Sequence, residues 1–358
     1  MAGTAGKRVA HVERRPGDEP VEVLREYYRR MSLVRAFELR ASEMYARAKI
    51  GGYCHLNLGE EATVVGLTAA LRPRDYLFAS YRDHGYALMR GLAPGRVMAE
   101  LFGKTTGVSG GRGGSMHMFD TEARLMGGYG IVGGQIPLAT GAALALTYRG
   151  EPGPDADVVM CLLGDGATNI GAFHESLNLA GLWRLPIVYV IVNNGLGMGT
   201  SVESAAAEPE LFKRGCSYRI HGERVDGDDV LGVRDATSAA LERARTAREP
   251  GLIEATSFRL RGHSVVDPAR YRSTEDTVLA QSSDPVPAFR ARLMATGVMD
   301  AAEATAIDEA ADEQVTAAVH FADESPDPTP DQLFAYVYAT SVPHAPDALP
   351  GDPVMDAL

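Results

Sequence analysis

The chain has 358 residues, of which 45% are hydrophobic and 23% are charged, a composition typical of a globular protein and not of a disordered or fibrous one. Its formal net charge of -12 repels phosphates at long range. It therefore argues against general electrostatic binding to nucleic acid or to an anionic membrane, although a local basic pocket is compatible with it.

The cysteines and the N-terminus bear on the compartment. Cys54, Cys161 and Cys216 are odd in number, widely spaced and without a Cys-x-x-Cys pair, so neither a disulfide framework nor a zinc cluster is predicted. Residues 1–20 mix charges of both signs and lack the apolar run of a signal peptide. We expect a flexible N-terminal lead-in on a protein of the reducing bacterial cytoplasm.

Two helices and a strand are predicted near the start of the chain. Apolar residues recur at three- and four-residue steps over residues 21–50, the pattern of an amphipathic helix. Gly51 and Gly52 are expected to end this helix. Residues 60–71 predict a second helix, and residues 76–80 predict a short buried strand.

Two glycine-rich segments follow. Residues 103–114 contain too many glycines for regular structure, so a loop is predicted there. Residues 126–148 form the longest uncharged stretch, but Gln135, Pro137 and several glycines interrupt it. This stretch therefore predicts a loop followed by a buried helix, not a membrane span.

The middle of the chain alternates between strands and helices. Residues 157–163 and 185–192 are continuous apolar runs, and residues 171–182 between them have a helical pattern. Such a βαβ unit is typical of an open, mostly parallel sheet with helices on both faces, which is the α/β fold class we predict. Later predicted elements are a helix at 229–248, a strand at 252–257 and a helical, acidic region from 285 onwards.

The domain organisation predicted from these elements is simple. Neither an internal repeat nor a linker to a second domain is visible, so we expect one domain over residues 21–340. Its last part, 285–340, is expected to be mostly helical and to finish with an apolar segment at 333–338. Residues 341–358 read as a proline-rich tail.

Polar residues follow two neighbouring strands of the predicted sheet. Asp165 lies in a Gly-Asp-Gly triplet after the first strand, and Asn194 follows the next strand, with 26 residues (167 to 192) between the two motifs. The carboxyl ends of adjacent parallel strands meet at one edge of a sheet, where ligands bind. Carboxylate, amide and carbonyl oxygens suit Mg²⁺, which would hold a diphosphate. Alone, the triplet would more often be a tight turn with a helix cap.

This combination, with its flanking segments, resembles the alpha subunits of the thiamine-diphosphate-dependent two-oxo-acid dehydrogenases, and among them pyruvate dehydrogenase. The resemblance runs from about residue 21 to residue 338. The matched segments are GGYCHLNLGEEA at 51–62, SYRDHG at 80–85, GGRGGSMHMF at 110–119, GGYGIVGGQIPLATGAAL at 127–144, NNGLGMGTSVE at 193–203 and RGHSVVDPARYR at 261–272.

The resemblance implies a thiamine-diphosphate-binding fold and a set of ligands for the cofactor and its metal. The implied Mg²⁺ ligands are Asp165, Asn194 and the main-chain carbonyl of Leu196, where an aromatic residue is more frequent in the family. The implied cofactor-binding residues are Tyr81, Arg82, Gly130, Val132, Asp165, Gly166, Ala167, Asn194 and His263.

The alternative for Arg82 is an ion pair with Asp75 or Asp83. Gly166, the second glycine of the Gly-Asp-Gly triplet, is expected to let the backbone approach phosphate. The N-terminus of the following helix would add its dipole.

The resemblance also implies that His84 and His263 are catalytic, since imidazole titrates near neutrality and can hydrogen-bond to or protonate the reacting oxygen. His263 lies in the segment 259–272, which resembles a loop at the mouth of the active-site channel. This loop keeps Ser264 but lacks a further phosphorylatable serine found in animal relatives, so kinase control is not expected. We expect His117 to be structural.

The implied reaction is the oxidative decarboxylation of a two-oxo acid, most simply pyruvate, with transfer of the acyl group to lipoamide. No second α/β unit follows residue 285, so a beta subunit in a heterotetramer and a lipoyl acyltransferase core are the implied partners. The alternatives are acetoin dehydrogenase, a branched-chain two-oxo-acid dehydrogenase and, outside the enzymes, a regulatory module that binds a magnesium nucleotide. A Walker loop and a GxGxxG motif opening a helix are both missing, which disfavours the last.

Overall fold

The computed structural model describes residues 19–273, 275, 278, 281–332 and 335. Within these residues the α-helices are α1 (Val21–Ala46), α2 (Glu61–Ala69), α3 (His84–Met89), α4 (Pro94–Leu101), α5 (Gln135–Arg149), α6 (Gly171–Trp183), α7 (Val202–Ala205), α8 (Val230–Ala247), α9 (Pro285–Ala295) and α10 (Ala301–Glu324). The strands are β1 (Tyr76–Phe78), β2 (Val159–Gly164), β3 (Ile187–Asn193), β4 (Leu196–Gly197), β5 (Thr200–Ser201), β6 (His221–Asp226) and β7 (Gly251–Thr256).

Five strands form one parallel sheet in the order β1-β2-β3-β7-β6. β4 and β5 form a separate antiparallel hairpin directly after β3, with Leu196 opposite Ser201. The predicted parallel sheet is therefore confirmed. The predicted βαβ unit is β2, α6 and β3, whose observed ends differ from the expected ones by one or two residues, as is usual for element boundaries.

The apolar runs in β2 and β3 are explained by cores on both faces of the sheet. Met160 and Leu162 pack into a cluster that includes residues of α1, α4 and α8. Cys161 and Leu163 point to the opposite face and pack against α5 and α6. Because alternate strand residues face opposite sides, almost every residue of these two strands is buried, and each large buried side chain contributes about 1.5–3 kcal/mol.

The end of α1 differs from the prediction. The helix ends at Ala46, before Gly51 and Gly52. Ala48 takes the left-handed conformation with φ 58°, and Lys49 N–H donates to Met44 O at 3.0 Å. This is the hydrogen bond that commonly closes a helix after a left-handed residue, so an alanine fills the position that the glycines were expected to fill.

Two further features were not predicted. A 3₁₀ helix, Asp165–Asn169, follows β2 directly and separates Asp165 from α6, which begins at Gly171 as predicted. The strand β6 was not predicted, since its sequence HGERVD has no apolar run and its residues are mostly half-exposed. It lies at the edge of the sheet, where such composition is common.

The predicted loop and C-terminal helices are observed. The loop after α4 is held by the buried Glu100 carboxylate, which accepts hydrogen bonds from the backbone N–H groups of Ser109, Gly111, Gly113 and Gly114 at 2.7–3.1 Å. α9 and α10 form the helical region, and α10 packs on α1 and α4. Most of the predicted segment 333–338, the tail 341–358 and residues 1–18 of the lead-in lie outside the described residues.

Two observations address predictions made from composition. In the part of the chain that the structure describes, no helix is both long enough and apolar enough to cross a bilayer. Cys54, Cys161 and Cys216 are free thiols, of which the first two are buried.

Candidate functional site

A cavity of about 560 Å³ opens at the carboxyl ends of β2 and β3. Ten of the residues implied by the resemblance line it: Tyr81, Arg82, Gly130, Val132, Asp165, Gly166, Ala167, Asn194, Leu196 and His263. Open α/β sheets bind their ligands at this edge. The cavity also has lining residues that sequence reasoning did not assign, among them His55, Glu60, Tyr86, Gln135 and Arg259.

The sheet register brings Asp165 and Asn194 to the same edge. Gly164, the last residue of β2, pairs with Val192 of β3, so each polar residue follows its strand at nearly the same level. The chain then reverses through the β4–β5 hairpin, where Val202 N–H donates to Gly195 O. This reversal brings Gly197 back against Gly166: a Cβ added to Gly166 would lie 3.7 Å from the Gly197 Cα.

A positive side chain, Arg259, already lies between two of the oxygens expected to bind metal. Its Nη1 donates to Asn194 Oδ1 at 3.2 Å and lies 3.5 Å from Leu196 O. Burial raises the pKa of Asp165 to about 6, while the charge of Arg259 acts in the opposite direction. The amide and carbonyl oxygens therefore face one cationic group, and the Asp165 carboxyl lines the same cavity and is influenced by that charge.

Glu60 fixes the orientation of the Asn194 side chain. Asn194 Nδ2 donates to Glu60 Oε1 at 3.0 Å, and Glu60 is buried at the N-cap of α2. Because a carboxylate only accepts hydrogen bonds, the Asn194 nitrogen is turned to Glu60 and its oxygen is turned to Arg259.

Arg82 is buried on the wall of the cavity after β1. It donates to Leu56 O and to His263 O, and its Nε lies 3.8 Å from Glu60 Oε2. The alternative ion pair with Asp75 is not formed, since Asp75 pairs with Arg245.

Three aromatic rings meet on one side of the cavity. The ring centroids of His55 and Tyr81 are 4.6 Å apart, those of His55 and His263 5.1 Å, and those of Tyr81 and His263 5.7 Å. Burial, and then the Arg82 charge, lower the pKa of His55 to about 3 and that of His263 to about 4. Both imidazoles are therefore neutral near pH 7 and can donate or accept a hydrogen bond.

Several buried polar atoms around the cavity have no hydrogen-bond partner among the residues that the structure describes. They include Tyr86 Oη, Gln135 Oε1, His55 Nδ1 and His263 Nδ1. Buried polar groups are normally paired. These orphaned atoms indicate that the cavity receives a ligand with several polar groups.

Comparison with known proteins identifies the family. The family model described as "Dehydrogenase E1 component" matches residues 29–331. The chain belongs to the dehydrogenase E1 component family. It is 44% identical over 318 residues to the pyruvate dehydrogenase E1 component subunit alpha of Zymomonas mobilis, covering 88% of each chain. It is 43% identical over 308 residues to the protein of the same name in Rhizobium meliloti, covering 86% of this chain and 87% of that one.

The similarity of this E1 component extends to eukaryotes. The chain is 41% identical over 320 residues to the mitochondrial somatic form of the pyruvate dehydrogenase E1 component subunit alpha of Homo sapiens, covering 89% of this chain and 80% of that one. The resemblance predicted from the motifs is therefore confirmed. These relatives carry the name of pyruvate dehydrogenase and not that of acetoin or branched-chain dehydrogenases.

One residue assigned to catalysis lies elsewhere in this E1 component. His84 is fully buried and does not line the cavity. Its Nδ1 lies 2.9 Å from Glu38 Oε2, and its Nε2 lies 2.8 Å from Ser115 Oγ. Both ring nitrogens are thus occupied, because the first residue of α3 packs into the core. The expected contact of His84 with a reacting oxygen is corrected: His84 links α1 to the loop that carries Ser115.

His117, which we expected to be structural, does not line the cavity either. Its Nδ1 lies 3.0 Å from Gly128 O, and its ring covers Gly130, where an added Cβ would come within 3.1 Å of His117 Cε1. A side chain at position 130 would therefore meet the imidazole, which explains the glycine.

The sequence held a signal for the residues that were missed. His55 and Glu60 both lie in the matched segment at 51–62, and Arg259 begins the segment that contains His263. These residues line the cavity only because loops that are far apart in sequence meet there in the folded chain. Local pattern could therefore not assign them to the cavity.

Proposed function

We propose that this E1 component is the alpha subunit of a pyruvate dehydrogenase and that its cavity binds thiamine diphosphate through Mg²⁺. The observation that carries the proposal is that Asp165, Asn194 and Leu196 line one cavity at the carboxyl ends of two adjacent parallel strands. The names of the relatives support the substrate.

The three oxygen donors fit the proposed metal. One carboxylate, one amide oxygen and one carbonyl form a hard, mixed set that suits Mg²⁺, which keeps further positions for phosphate and water. Among the described residues no group of three His, Cys, Asp or Glu side chains could hold a metal. A site for a softer ion such as zinc is therefore not favoured.

The walls of the cavity fit the rest of the cofactor. We assign the Tyr81 hydroxyl and the Arg82 guanidinium to the diphosphate, because charge-assisted donors from arginine suit phosphate oxygens. Gly130 and Gly166 allow close backbone approach, and Val132 and Ala167 supply apolar surface beside them. When bound, thiamine diphosphate supplies the electron sink that two-oxo-acid decarboxylation requires.

The chain's own contribution to the chemistry is orientation and proton handling. His263 and His55 are neutral, and each has a buried Nδ1 beside the cavity that no described residue contacts through a hydrogen bond. A neutral imidazole can donate a hydrogen bond to the oxo group of the bound two-oxo acid and so stabilise negative charge that develops on that oxygen. We assign this role to His263, with His55 packed against it.

The cavity is incomplete without a partner. Apolar side chains at or near its rim are strongly exposed, namely Tyr53 at 63%, Ile131 at 80%, Met198 at 60% and Val266 at 54%, and clustered exposed apolar surface is typical of an interaction site. We therefore propose that a beta subunit covers this rim in a heterotetramer and that a lipoyl acyltransferase core receives the acyl group. The proposed unit is one domain over residues 21–340, acting in the bacterial cytoplasm.

The proposal can be tested with the co-expressed alpha and beta chains. Calorimetric titration with thiamine diphosphate and with ADP, each with Mg²⁺, should show saturable binding of thiamine diphosphate only. Turnover should be highest on pyruvate when pyruvate, acetoin and a branched-chain two-oxo acid are compared. Preference for ADP would support a regulatory module, and preference for another substrate would refute the assignment to pyruvate. Full decarboxylase activity of this chain alone would refute the need for a beta subunit.

A further inference from the structure

A fully buried carboxylate, Glu254, lies one strand away from the proposed metal ligands. It belongs to β7 and pairs with Ile191 of β3. Its Oε1 accepts hydrogen bonds from Asn193 Nδ2 at 2.7 Å and from Arg224 Nη2 at 2.9 Å, and its Oε2 accepts one from Phe212 N–H at 2.9 Å. Three donors from three different segments thus satisfy one carboxylate inside the sheet.

Asn193 connects Glu254 to the turn that carries the proposed metal ligands, because its side chain hydrogen-bonds to both. Its Oδ1 accepts a hydrogen bond from Gly195 N–H at 2.9 Å, and its main-chain carbonyl accepts one from Ser257 N–H at 3.0 Å. Gly195 has φ 80°, so the backbone reverses here. The orientation of the Asn193 amide therefore determines how the chain leaves β3 on its way to Asn194 and Leu196.

The chemical character of Glu254 allows only one orientation of the Asn193 amide. Both oxygens of the Glu254 carboxylate act as acceptors, one from Arg224 Nη2 and the other from Phe212 N–H, so the Asn193 nitrogen and not its oxygen faces Glu254. The Asn193 oxygen must then face Gly195 N–H and close the turn. A glutamine at position 254 could present its own N–H₂ to Asn193, which would permit the flipped amide and release Gly195 N–H.

We infer that Glu254 is a positioning residue for the proposed metal site, acting through Asn193 on the oxygens of Asn194 and Leu196. This inference rests on the proposed function, since it presumes that these oxygens bind Mg²⁺. Partners outside the ligand shell commonly change metal affinity by about 10–100-fold when they are altered.

The test measures binding and not turnover. Equilibrium dialysis of the co-expressed alpha and beta chains, with thiamine diphosphate held constant and Mg²⁺ varied, gives the Mg²⁺ concentration for half-maximal cofactor binding. We expect Glu254→Gln to raise this concentration by about tenfold or more. Glu223→Gln is the matched control. Glu223 is a partly buried carboxylate on β6, and it pairs with Ile253, the residue that precedes Glu254 in β7. It should leave the value unchanged.

A second variant separates positioning from loss of charge or of packing. In the double variant Asn193→Asp with Glu254→Gln, the glutamine can donate to the new carboxylate, and that carboxylate can still accept from Gly195 N–H. Arg224, whose side chain is 18% exposed and also lies near Glu210, can turn away from the glutamine. The total charge is unchanged, so we expect most of the lost Mg²⁺ affinity to return.

The outcomes are distinct. Recovery in the double variant supports the inference, and an unchanged Mg²⁺ requirement in Glu254→Gln or no recovery in the double variant overturns it. If Glu254→Gln fails to fold, Asn193→Ser replaces it: a serine hydroxyl that accepts from Gly195 N–H is too short to donate to Glu254 Oε1 as Asn193 Nδ2 does, so the Mg²⁺ requirement should again rise. Failure of the unaltered protein to bind thiamine diphosphate with Mg²⁺ would instead refute the proposed function itself.

Discussion

Arg259 Nη1 donates a hydrogen bond to Asn194 Oδ1 across 3.2 Å, which joins the loop after β7 to the end of β3. The same nitrogen lies 3.5 Å from Leu196 O. The two oxygens therefore already point to one cationic group. A divalent ion bound to these oxygens would compete with the guanidinium for them, so metal binding and the position of this loop should depend on each other.

Removing the carboxylate from the proposed metal site should weaken cofactor binding. Asp165→Asn keeps the size of the side chain but removes its charge, so we expect the Mg²⁺ concentration for half-maximal thiamine diphosphate binding to rise by at least about tenfold. Equilibrium dialysis of the co-expressed alpha and beta chains measures it. Asp155→Asn, in an exposed loop before β2, is the control, and an equal effect of both variants would contradict the assignment.

The two histidines implied to be catalytic should differ in what their removal changes. His84→Ala removes the imidazole beside the buried Glu38 Oε2 and leaves this carboxylate only the backbone N–H of Asn57, so we expect the free energy of unfolding to fall by about 3–5 kcal/mol. His263→Ala removes a side chain at the cavity and should lower turnover by about 100-fold with a much smaller effect on stability. Urea unfolding and steady-state kinetics on pyruvate would separate them. A His84 variant of normal stability with lost turnover would restore His84 to the catalytic residues.

The glycine-rich loop should depend on Glu100. In the unaltered chain, backbone N–H groups donate to both oxygens of the Glu100 carboxylate. Glu100→Gln replaces one of these oxygens with an N–H₂ group, which cannot accept from them. We expect a loss of about 1–3 kcal/mol of stability and faster proteolysis within residues 103–119. Urea unfolding and mass spectrometry of limited digests measure these effects. Glu122→Gln, on an exposed turn nearby, should change neither, and resistance of the Glu100 variant to both would show that the carboxylate does not hold the loop.

The buried Asp83 carboxyl should make stability depend on pH. Burial raises its pKa from 3.8 to about 7. The folded chain therefore holds this proton more tightly than the unfolded chain, so its contribution to stability falls as pH rises from about 4 to about 7. Asp83→Asn cannot titrate, so the variant should gain up to about 3 kcal/mol relative to the unaltered chain between pH 5 and pH 8.

Urea unfolding at pH 5 and at pH 8 measures the difference in free energy of unfolding between Asp83→Asn and the unaltered chain. Asp312→Asn, on an exposed position of α10, serves as the control. A constant difference between the Asp83 variant and the unaltered chain would mean that Asp83 is ionised in both the folded and the unfolded state.

Local sequence was sufficient for the centre of the fold and for part of the site. Continuous apolar runs over β2 and β3 specify strands buried on both faces, and a crossover of fixed length brings the ends of such strands together. The placement of Asp165 and Asn194 at the same edge of the sheet follows from these two facts. The edge strand β6 carries no such signal, since one of its sides has no neighbouring strand and its residues are only partly buried.

Tertiary structure decided which side chains of the matched motifs reach the cavity. His84 and His55 both lie in matched loop segments, yet the first is fully buried against Glu38 and the second lines the cavity. Glu254 gave no signal in sequence, because a single charge in an apolar run shows neither its burial nor its partners. The sequence by itself determined the apolar strands β2 and β3 and the edge of the sheet at which they end, since these depend on local periodicity. The partners of a buried polar group depend on segments far apart in sequence, so only the folded chain determines them.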